Sequence, residues 1–170
     1  MSFPDVVVSA DFTSSALNIP TDWTVLPNRR YANIHQGRQR LLDRTEVGEA
    51  TVTLDNRDRA FDPLVNPNVR PGNHFRIQAV HNEVTYGLFR GFVQTWPQEW
   101  PDPSDAVAIS RVRAEDAFSL LARYQLEGEE ITETLSGDHL EQVLSIYGWP
   151  AAGEVPAGTT WWRLGTVGAS

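Results

Sequence analysis

Short runs in which apolar and polar residues alternate recur along the first two thirds of the chain, and each run ends in turn-forming residues. Alternation with a period of two is typical of half-buried strands, because neighbouring side chains of a strand point to opposite faces. The turn signals lie about 8 to 12 residues apart, a spacing that favours a barrel or a sandwich. The sequence therefore predicts a mainly β fold, an antiparallel barrel or sandwich of about seven to nine strands.

The strand pattern is clearest in three places. In residues 6–10 and in residues 50–54, every second residue is apolar and would lie on one face of a strand, and the residues between them would lie on the other face. Residues 74–90 predict a hairpin, because Asn82 and Glu83 form a short turn signal between two β-rich runs.

Helical periodicity is present only in the last third of the chain. A first helix is predicted at about residues 114–125, where apolar side chains recur on one face. A second helix begins after Ser136, which is a good N-cap, and Gly148 stops it. We therefore expect a β-barrel domain with one packed helix at residues 1–135. Residues 136–170 are expected to form a second short helix and a C-terminal arm rich in Gly and Ala.

Composition narrows the class of function. The 170 residues carry a net charge of −8, which disfavours duplex nucleic acid and anionic membranes as partners because both require a basic surface. Cysteine is absent, so disulfides, thiolate metal sites and a cysteine nucleophile are excluded. The first residues lack the features of a signal peptide, and no apolar run reaches the roughly 18 to 20 residues of a membrane span. We expect a protein made in the cytoplasm, with no membrane partner and no sequence-specific nucleic-acid binding.

The segment GEATVTLDNRDRAFDP, residues 48–63, begins as a strand and ends in a dense run of Asp, Asn and Arg. A calcium loop is one interpretation, but in EF-hand spacing counted from Asp55 the ligand positions fall on Arg57 and Arg59. The preferred interpretation is a β-corner, in which Asp and Asn side chains cap backbone N–H groups and pair with these arginines. Phe61 is expected to anchor the corner to the hydrophobic body.

Signals for catalysis are weak. The chain has 22 acidic residues, so pairs of carboxylates suitable for a glycosidase arise by number alone and discriminate nothing. The sequence contains no G-x-S-x-G elbow, no HExxH motif and no glycine-rich phosphate loop. We therefore expect no enzyme activity, no catalytic residue, no metal and no cofactor, and a small glycan-cleaving enzyme is the weakest of three hypotheses.

Tryptophan and arginine usage is the remaining signal. All fourteen basic residues are Arg, which fits either a GC-rich genome or selection for bidentate pairing at permanent interfaces. Trp96 and Trp100 lie in the segment WPQEWP, and Trp161 and Trp162 are adjacent. Such residues serve as core, as protein-interface anchors or as platforms for sugar rings, and the pattern leaves these three roles open.

The order of these motifs resembles the N-terminal domain of minor tail proteins from siphophages of actinobacteria. The resemblance covers about residues 40 to 125. It rests on residues 48–63, Pro71-Gly72, the strand at 75–80, YGLFRGFV at 86–93, WPQEWP at 96–101 and the helix that follows.

This resemblance implies a structural protein of the tail tip or baseplate hub, with the β-barrel fold of tail-tube proteins and located in the virion. Such domains form rings, and we expect a trimer, or else a hexamer. The implied partners are distal tail, tape measure and tail fibre or adhesin proteins. The alternative is a carbohydrate- or receptor-binding module on the virion surface. The candidate interface residues are Arg57, Arg59, Phe61, Trp96, Trp100, Trp161 and Trp162.

Overall fold

The computed structural model describes residues 3–37, 46–100, 108–123, 136–146 and 148–149. The chain divides into two compact units. The first comprises Met1–Ala16 and Pro20–Tyr124, and the second comprises Leu17–Ile19 and Gln125–Ser170. The sheet and the first helix belong to the first unit, and the second helix belongs to the second unit.

One antiparallel sheet of eight strands makes up most of the described part of the first unit. The strands are β1 (Asp5–Asp11), β2 (Thr24–Val25), β3 (Arg29–Gly37), β4 (Glu46–Asp55), β5 (His74–His81), β6 (Val84–Thr95), β7 (Gln98–Glu99) and β8 (Ile109–Glu115). Their order across the sheet is β2-β1-β5-β6-β8-β4-β3, and β7 pairs with the start of β8. The mainly β, antiparallel fold predicted from the alternating runs is confirmed.

The sheet is strongly curled, because its two edge strands are consecutive in the chain. Only residues 26–28 separate β2 at one edge from β3 at the other, a connection that spans at most about 14 Å. The Leu26 N–H donates to the Val8 carbonyl (2.8 Å), and the Asp55 N–H donates to the Asn28 carbonyl (3.1 Å). These bonds tie the connection to β1 and to β4. The result is a barrel-like sheet, one of the two predicted architectures.

The inner face of the curled sheet carries the hydrophobic core. Every second residue of the central strands is buried there, as the alternating runs predicted. The loop between β4 and β5 adds Phe61 and Val69, and Trp96 adds its ring just after β6. The core consists of Val8, Ala10, Leu26, Ala50, Val52, Leu54, Phe61, Val69, Phe75, Ile77, Phe89, Val93, Trp96, Val112 and Ala114.

The predicted hairpin between β5 and β6 is confirmed. Asn82 and Glu83 form its two-residue turn, with φ angles of 49° and 64° that match the right-handed twist of the strands. Further along β6, Gly91 marks the point where this strand crosses the end of β8. A Cβ atom on Gly91 would lie 2.1 Å from the carbonyl oxygen of Glu115, so only glycine permits this approach.

The first helix, α1 (Ala117–Leu121), is shorter and starts later than predicted. Residues 114 and 115 pair with β4 and β6 as the end of β8, and this pairing prevails over their helical periodicity. Asp116 is the N-cap, because one carboxylate oxygen accepts the Phe118 N–H at 3.0 Å. Its other oxygen accepts the Gly48 N–H at 2.7 Å, so one side chain both caps α1 and extends the bonding of β4. Residues 124 and 125 of the predicted helix lie outside the described residues.

The second helix, α2 (Ser136–Ile146), confirms the predicted helix after Ser136. Leu144 is buried, whereas Leu140, one turn earlier on the same helix, is 47% exposed. Gly148 follows with a φ of 66°, the left-handed conformation of a helix C-terminus. Across the described residues, neither helix has the length and apolar character needed to cross a bilayer.

Candidate functional site: the charged loop and its surroundings

The loop that connects β4 to β5, residues 56–73 (the charged loop), begins with two sets of ion pairs. Asp55, the last residue of β4, accepts hydrogen bonds from Arg57 (2.6 Å) and from Arg30 of β3 (3.0 Å). Asp62 accepts from Nε and Nη2 of Arg59 at 2.9 and 2.5 Å. Arg57, and after it Arg30, lower the pKa of Asp55, and Arg59 lowers the pKa of Asp62. Asp55 and Asp62 are therefore both paired with arginines.

The same carboxylates also close the turns of the charged loop. Asp58 accepts the Ala60 N–H at 3.1 Å, and Asp62 accepts the Leu64 N–H at 2.9 Å. Arg59 has a φ of 58°, a left-handed conformation held by the bonds on either side of it. The predicted β-corner, with capping aspartates and paired arginines, is confirmed.

A buried amide pair joins the charged loop to β7. Asn56 is 1% exposed, and its carbonyl oxygen accepts the Phe61 N–H at 2.8 Å while its amide nitrogen donates to Gln98. Gln98 in turn donates to the carbonyl oxygens of Phe61 (2.6 Å) and Trp96 (3.1 Å). Because each buried polar group here has a partner, the network fixes the loop in one arrangement.

Three aromatic rings anchor the charged loop to the core. Trp96 lies between Phe61, whose ring is stacked at 6.1 Å between centroids, and Phe12 at 5.9 Å. The Trp96 indole donates to the Arg70 carbonyl at 3.1 Å. The predicted anchoring role of Phe61 is confirmed. Phe61 and Trp96 are only 6% and 5% exposed, so within the subunit both side chains pack in the core, and their role at an interface stays a prediction.

The tip of the charged loop presents apolar side chains to solvent. Leu64 is 91% exposed and Val65 is 54% exposed. The backbone at the tip is nevertheless held, because the Asp62 carbonyl accepts the N–H groups of Val65 (2.9 Å) and Asn66 (2.8 Å). These two residues were not among the predicted interface residues, although a Leu-Val pair between two prolines in a polar loop was the available signal.

Two arginines and one tryptophan are the other candidate interface residues that the structure describes. The side chains of Arg57 and Arg59 are 65% and 54% exposed and lie at the base of the loop. Trp100 is 62% exposed and follows β7. Trp161 and Trp162 lie outside the described residues.

A second buried carboxylate, which sequence reasoning missed, organises the chain after β1. Asp11 is fully buried and accepts six hydrogen bonds, from the backbone and hydroxyl groups of Thr13 and Ser14 and from the N–H groups of Thr21 and Asp22. Burial alone raises the pKa of Asp11, but the bonds from Ser14 and Thr13 outweigh it, and the net pKa lies well below the usual range. The signal in the sequence was an Asp followed two and three residues later by Thr and Ser, the pattern of a side chain that caps a turn.

Within the described ranges, no group of three or more His, Asp or Glu side chains is arranged to hold a metal ion. Comparison with protein-family models and with curated proteins finds no match for this chain. A loop that hydrogen bonds and ion pairs hold in place and whose tip is apolar has the properties of a preorganised protein-binding loop.

Proposed function

We propose that this chain is a structural component of a bacteriophage tail tip or baseplate, forming a ring at the distal end of the tail tube. In the virion it links the tube to the host-recognition parts, and its partners are copies of itself, distal tail, tape measure and tail fibre or adhesin proteins. Support comes from the ordered motifs of residues 48–101, which resemble minor tail proteins of siphophages. These motifs form the charged loop, the β5–β6 hairpin and the strand end that carries Trp96.

The observation that carries the proposal is the apolar tip of the charged loop. Leu64 is 91% exposed although hydrogen bonds hold its loop in place. Contact of this apolar side chain with water is unfavourable in a lone subunit, and its burial against a partner is favourable. Because the loop is already ordered, docking needs little further loss of conformational entropy. A ring subunit requires this kind of contact, in which one surface of each copy fits a different surface of the next.

The test removes the apolar character of the tip and measures the mass of the particle. We expect the wild-type protein to form a trimer or hexamer in multi-angle light scattering. The double variant Leu64→Ser, Val65→Ser should be a monomer. Its dissociation constant for assembly should rise about tenfold or more, because the partner no longer buries two aliphatic side chains. Tyr31→Ser is the matched control, because Tyr31 is also an apolar residue that is 61% exposed, but it lies on β3, away from the tip.

Two results would count against the proposal. One is a wild-type protein that stays monomeric at high concentration and in the presence of its candidate tail partners. The other is a double variant that assembles as well as the wild type. At concentrations where both proteins are dissociated, denaturant unfolding of the double variant should match that of the wild type, because neither side chain contributes to the core of the subunit.

A carbohydrate- or receptor-binding module is the second candidate, and the exposure of Trp100 (62%) favours it. An exposed indole offers a flat apolar face on which a sugar ring packs. Trp100→Ala should then abolish binding to bacterial cell-wall polysaccharide in a pull-down and leave the mass of the particle unchanged. Under the ring proposal, the tip variant instead changes the mass of the particle. The two experiments therefore separate the two functions.

A further inference from the structure

Two arginines face each other across neighbouring strands on the outer face of the sheet. Arg76 of β5 is directly opposite Arg90 of β6, and on its other side it is directly opposite Ser9 of β1. Residues directly opposite in antiparallel strands share a face, so these three side chains form one row across three strands. This row lies on the other side of the sheet from the core residues Ile77 and Val8.

The row carries two positive charges with no acidic partner among the described residues. The ion pairs of the described part involve other arginines, and none reaches Arg76 or Arg90. Asp11 lies in the adjacent row of β1 but is occupied by its six turn-forming hydrogen bonds. Like charges directly opposite on a sheet are destabilising, and burial together with the charge of Arg90 lowers the pKa of Arg76.

The same row contains two buried donors that lack an acceptor. The hydroxyl of Ser9, which is 0% exposed, and Nε of Arg76 have no hydrogen-bond partner in the described structure. A buried donor without an acceptor is destabilising, and native proteins contain few of them. One of these donors belongs to the Arg76 guanidinium itself, and Arg90 lies directly opposite, so the missing group is an acceptor with negative charge.

Trp23 holds Arg76 in place and leaves one side of the row open. The Arg76 guanidinium carbon lies 4.2 Å from the centroid of the Trp23 ring, a cation–π contact. Trp23 also packs edge-on against His74 of the adjacent row. Arg90 is exposed, so a ligand reaches the row from the β6 side.

We propose that Arg76 and Arg90 form a binding site for a carboxylate presented by a second copy of this chain. Planar guanidinium groups bind carboxylates through two parallel hydrogen bonds, and Trp beside Arg is a frequent composition of protein-interface hot spots. A protein of net charge −8 carries many carboxylates and repels polyphosphates such as nucleic acid at long range. The carboxylate site does not depend on the proposed ring, whereas its assignment to a second copy rests on it.

The first experiment tests the carboxylate site alone. Citrate, as a free carboxylate probe, is titrated into the protein by calorimetry at low ionic strength, and inorganic phosphate is titrated in parallel. Arg90→Gln should weaken citrate binding about tenfold, the effect of losing one charge-assisted contact. Arg113→Gln is the matched control, because it removes the same charge from an exposed position on β8 and should leave citrate binding unchanged.

Stability separates binding from a structural role. With both proteins dissociated, Arg90→Gln should unfold at the same or a higher denaturant concentration than wild type, because it removes a like-charge contact. Citrate binding that Arg90→Gln does not alter, or a loss of stability in that variant, would overturn the site. Phosphate binding tighter than citrate binding would overturn its assignment to a carboxylate.

The second experiment tests whether a second copy of this chain supplies the carboxylate. Arg90→Glu should weaken self-association measured by light scattering at least tenfold, whereas Arg113→Glu should not. If Arg90→Glu abolishes citrate binding but leaves self-association intact, the second copy is excluded as the partner and the ring proposal is untouched. If the loop-tip variant abolishes association while citrate binding persists, the carboxylate site stands independently of that contact.

Discussion

At the scale of single residues, Asp11 shows how one carboxylate can order a segment that has neither strand nor helix. Its two oxygens bind donors from residues 13 and 14 on one side and from residues 21 and 22 on the other. All of these donors are uncharged, so the carboxylate is stabilised by hydrogen bonds alone. The backbone of this segment therefore depends on a single negative charge.

Replacing Asp11 by Asn should lower the free energy of unfolding by about 2–4 kcal/mol. The amide has only one acceptor oxygen, so its NH₂ group must face donors that the carboxylate now satisfies. Urea unfolding followed by circular dichroism measures the change. Asp58→Asn is the control, since Asp58 is exposed and caps one N–H group, and it should cost less than 1 kcal/mol. Equal effects of the two substitutions would disprove the special role of Asp11.

The two tryptophans of WPQEWP mark a limit of sequence reasoning at this scale. Trp96 is buried between Phe61 and Phe12, whereas Trp100 is exposed, although both stand in the same local pattern. The difference arises because the ring of Phe61, which lies 35 residues earlier in the chain, packs on Trp96. Local spacing carries no information about such a partner.

At the scale of elements, the charged loop behaves as a rigid part of the body because Phe61 fills a place in the core. Phe61→Ala should lower the free energy of unfolding by about 3–5 kcal/mol, through lost burial and the cavity beside Trp96. Chemical unfolding monitored by tryptophan fluorescence measures the loss. Leu64→Ala in the same loop is the control and should change stability by less than about 0.5 kcal/mol, because Leu64 is 91% exposed. A large effect of Leu64→Ala on the isolated subunit would show that the loop tip is packed in solution.

The elements that periodicity determines were predictable, and those that distant partners determine were not. Strand alternation located β1, β4 and the β5–β6 hairpin, and Asp and Asn next to Arg located the corner. The start of α1 was misplaced, because residues 114 and 115 pair with strands whose register the local sequence does not contain. The pairing of Asn56 with Gln98, 42 residues apart, was equally invisible.

At the scale of the whole molecule, the described part of the curled sheet leaves a stretch of β6 without a second partner strand. Strand β8 pairs with β6 only from Phe92 onward, so in the described structure residues 84–90 of β6 bond to β5 alone. Tyr86 and Leu88 on this stretch are 53% and 38% exposed. Free strand edges with apolar side chains favour association with another chain. The open edge ends at Arg90, so the proposed carboxylate site and this edge form one continuous surface.

The response of the first unit to acid follows from three carboxylates. Asp11, Asp55 and Asp62 all have a lowered pKa in the folded state, whereas in the unfolded chain the pKa of Asp is about 3.9. The unfolded state therefore binds protons more readily than the folded state. The stability that these groups contribute is present above about pH 4 and is lost as the pH falls below it.

Salt distinguishes the contributions of these three groups. Asp55 and Asp62 are stabilised by ion pairs with arginines, and 1 M NaCl screens this attraction. Asp11 is stabilised by hydrogen bonds from uncharged donors, which salt affects little. Thermal unfolding between pH 5 and pH 2 should therefore show a decrease in stability that salt reduces but does not abolish. In Asp11→Asn the decrease that remains in 1 M NaCl should largely vanish. If this variant loses stability with pH in high salt as steeply as the wild type does, the acid response arises from other groups, and the hydrogen bonds of Asp11 do not govern it.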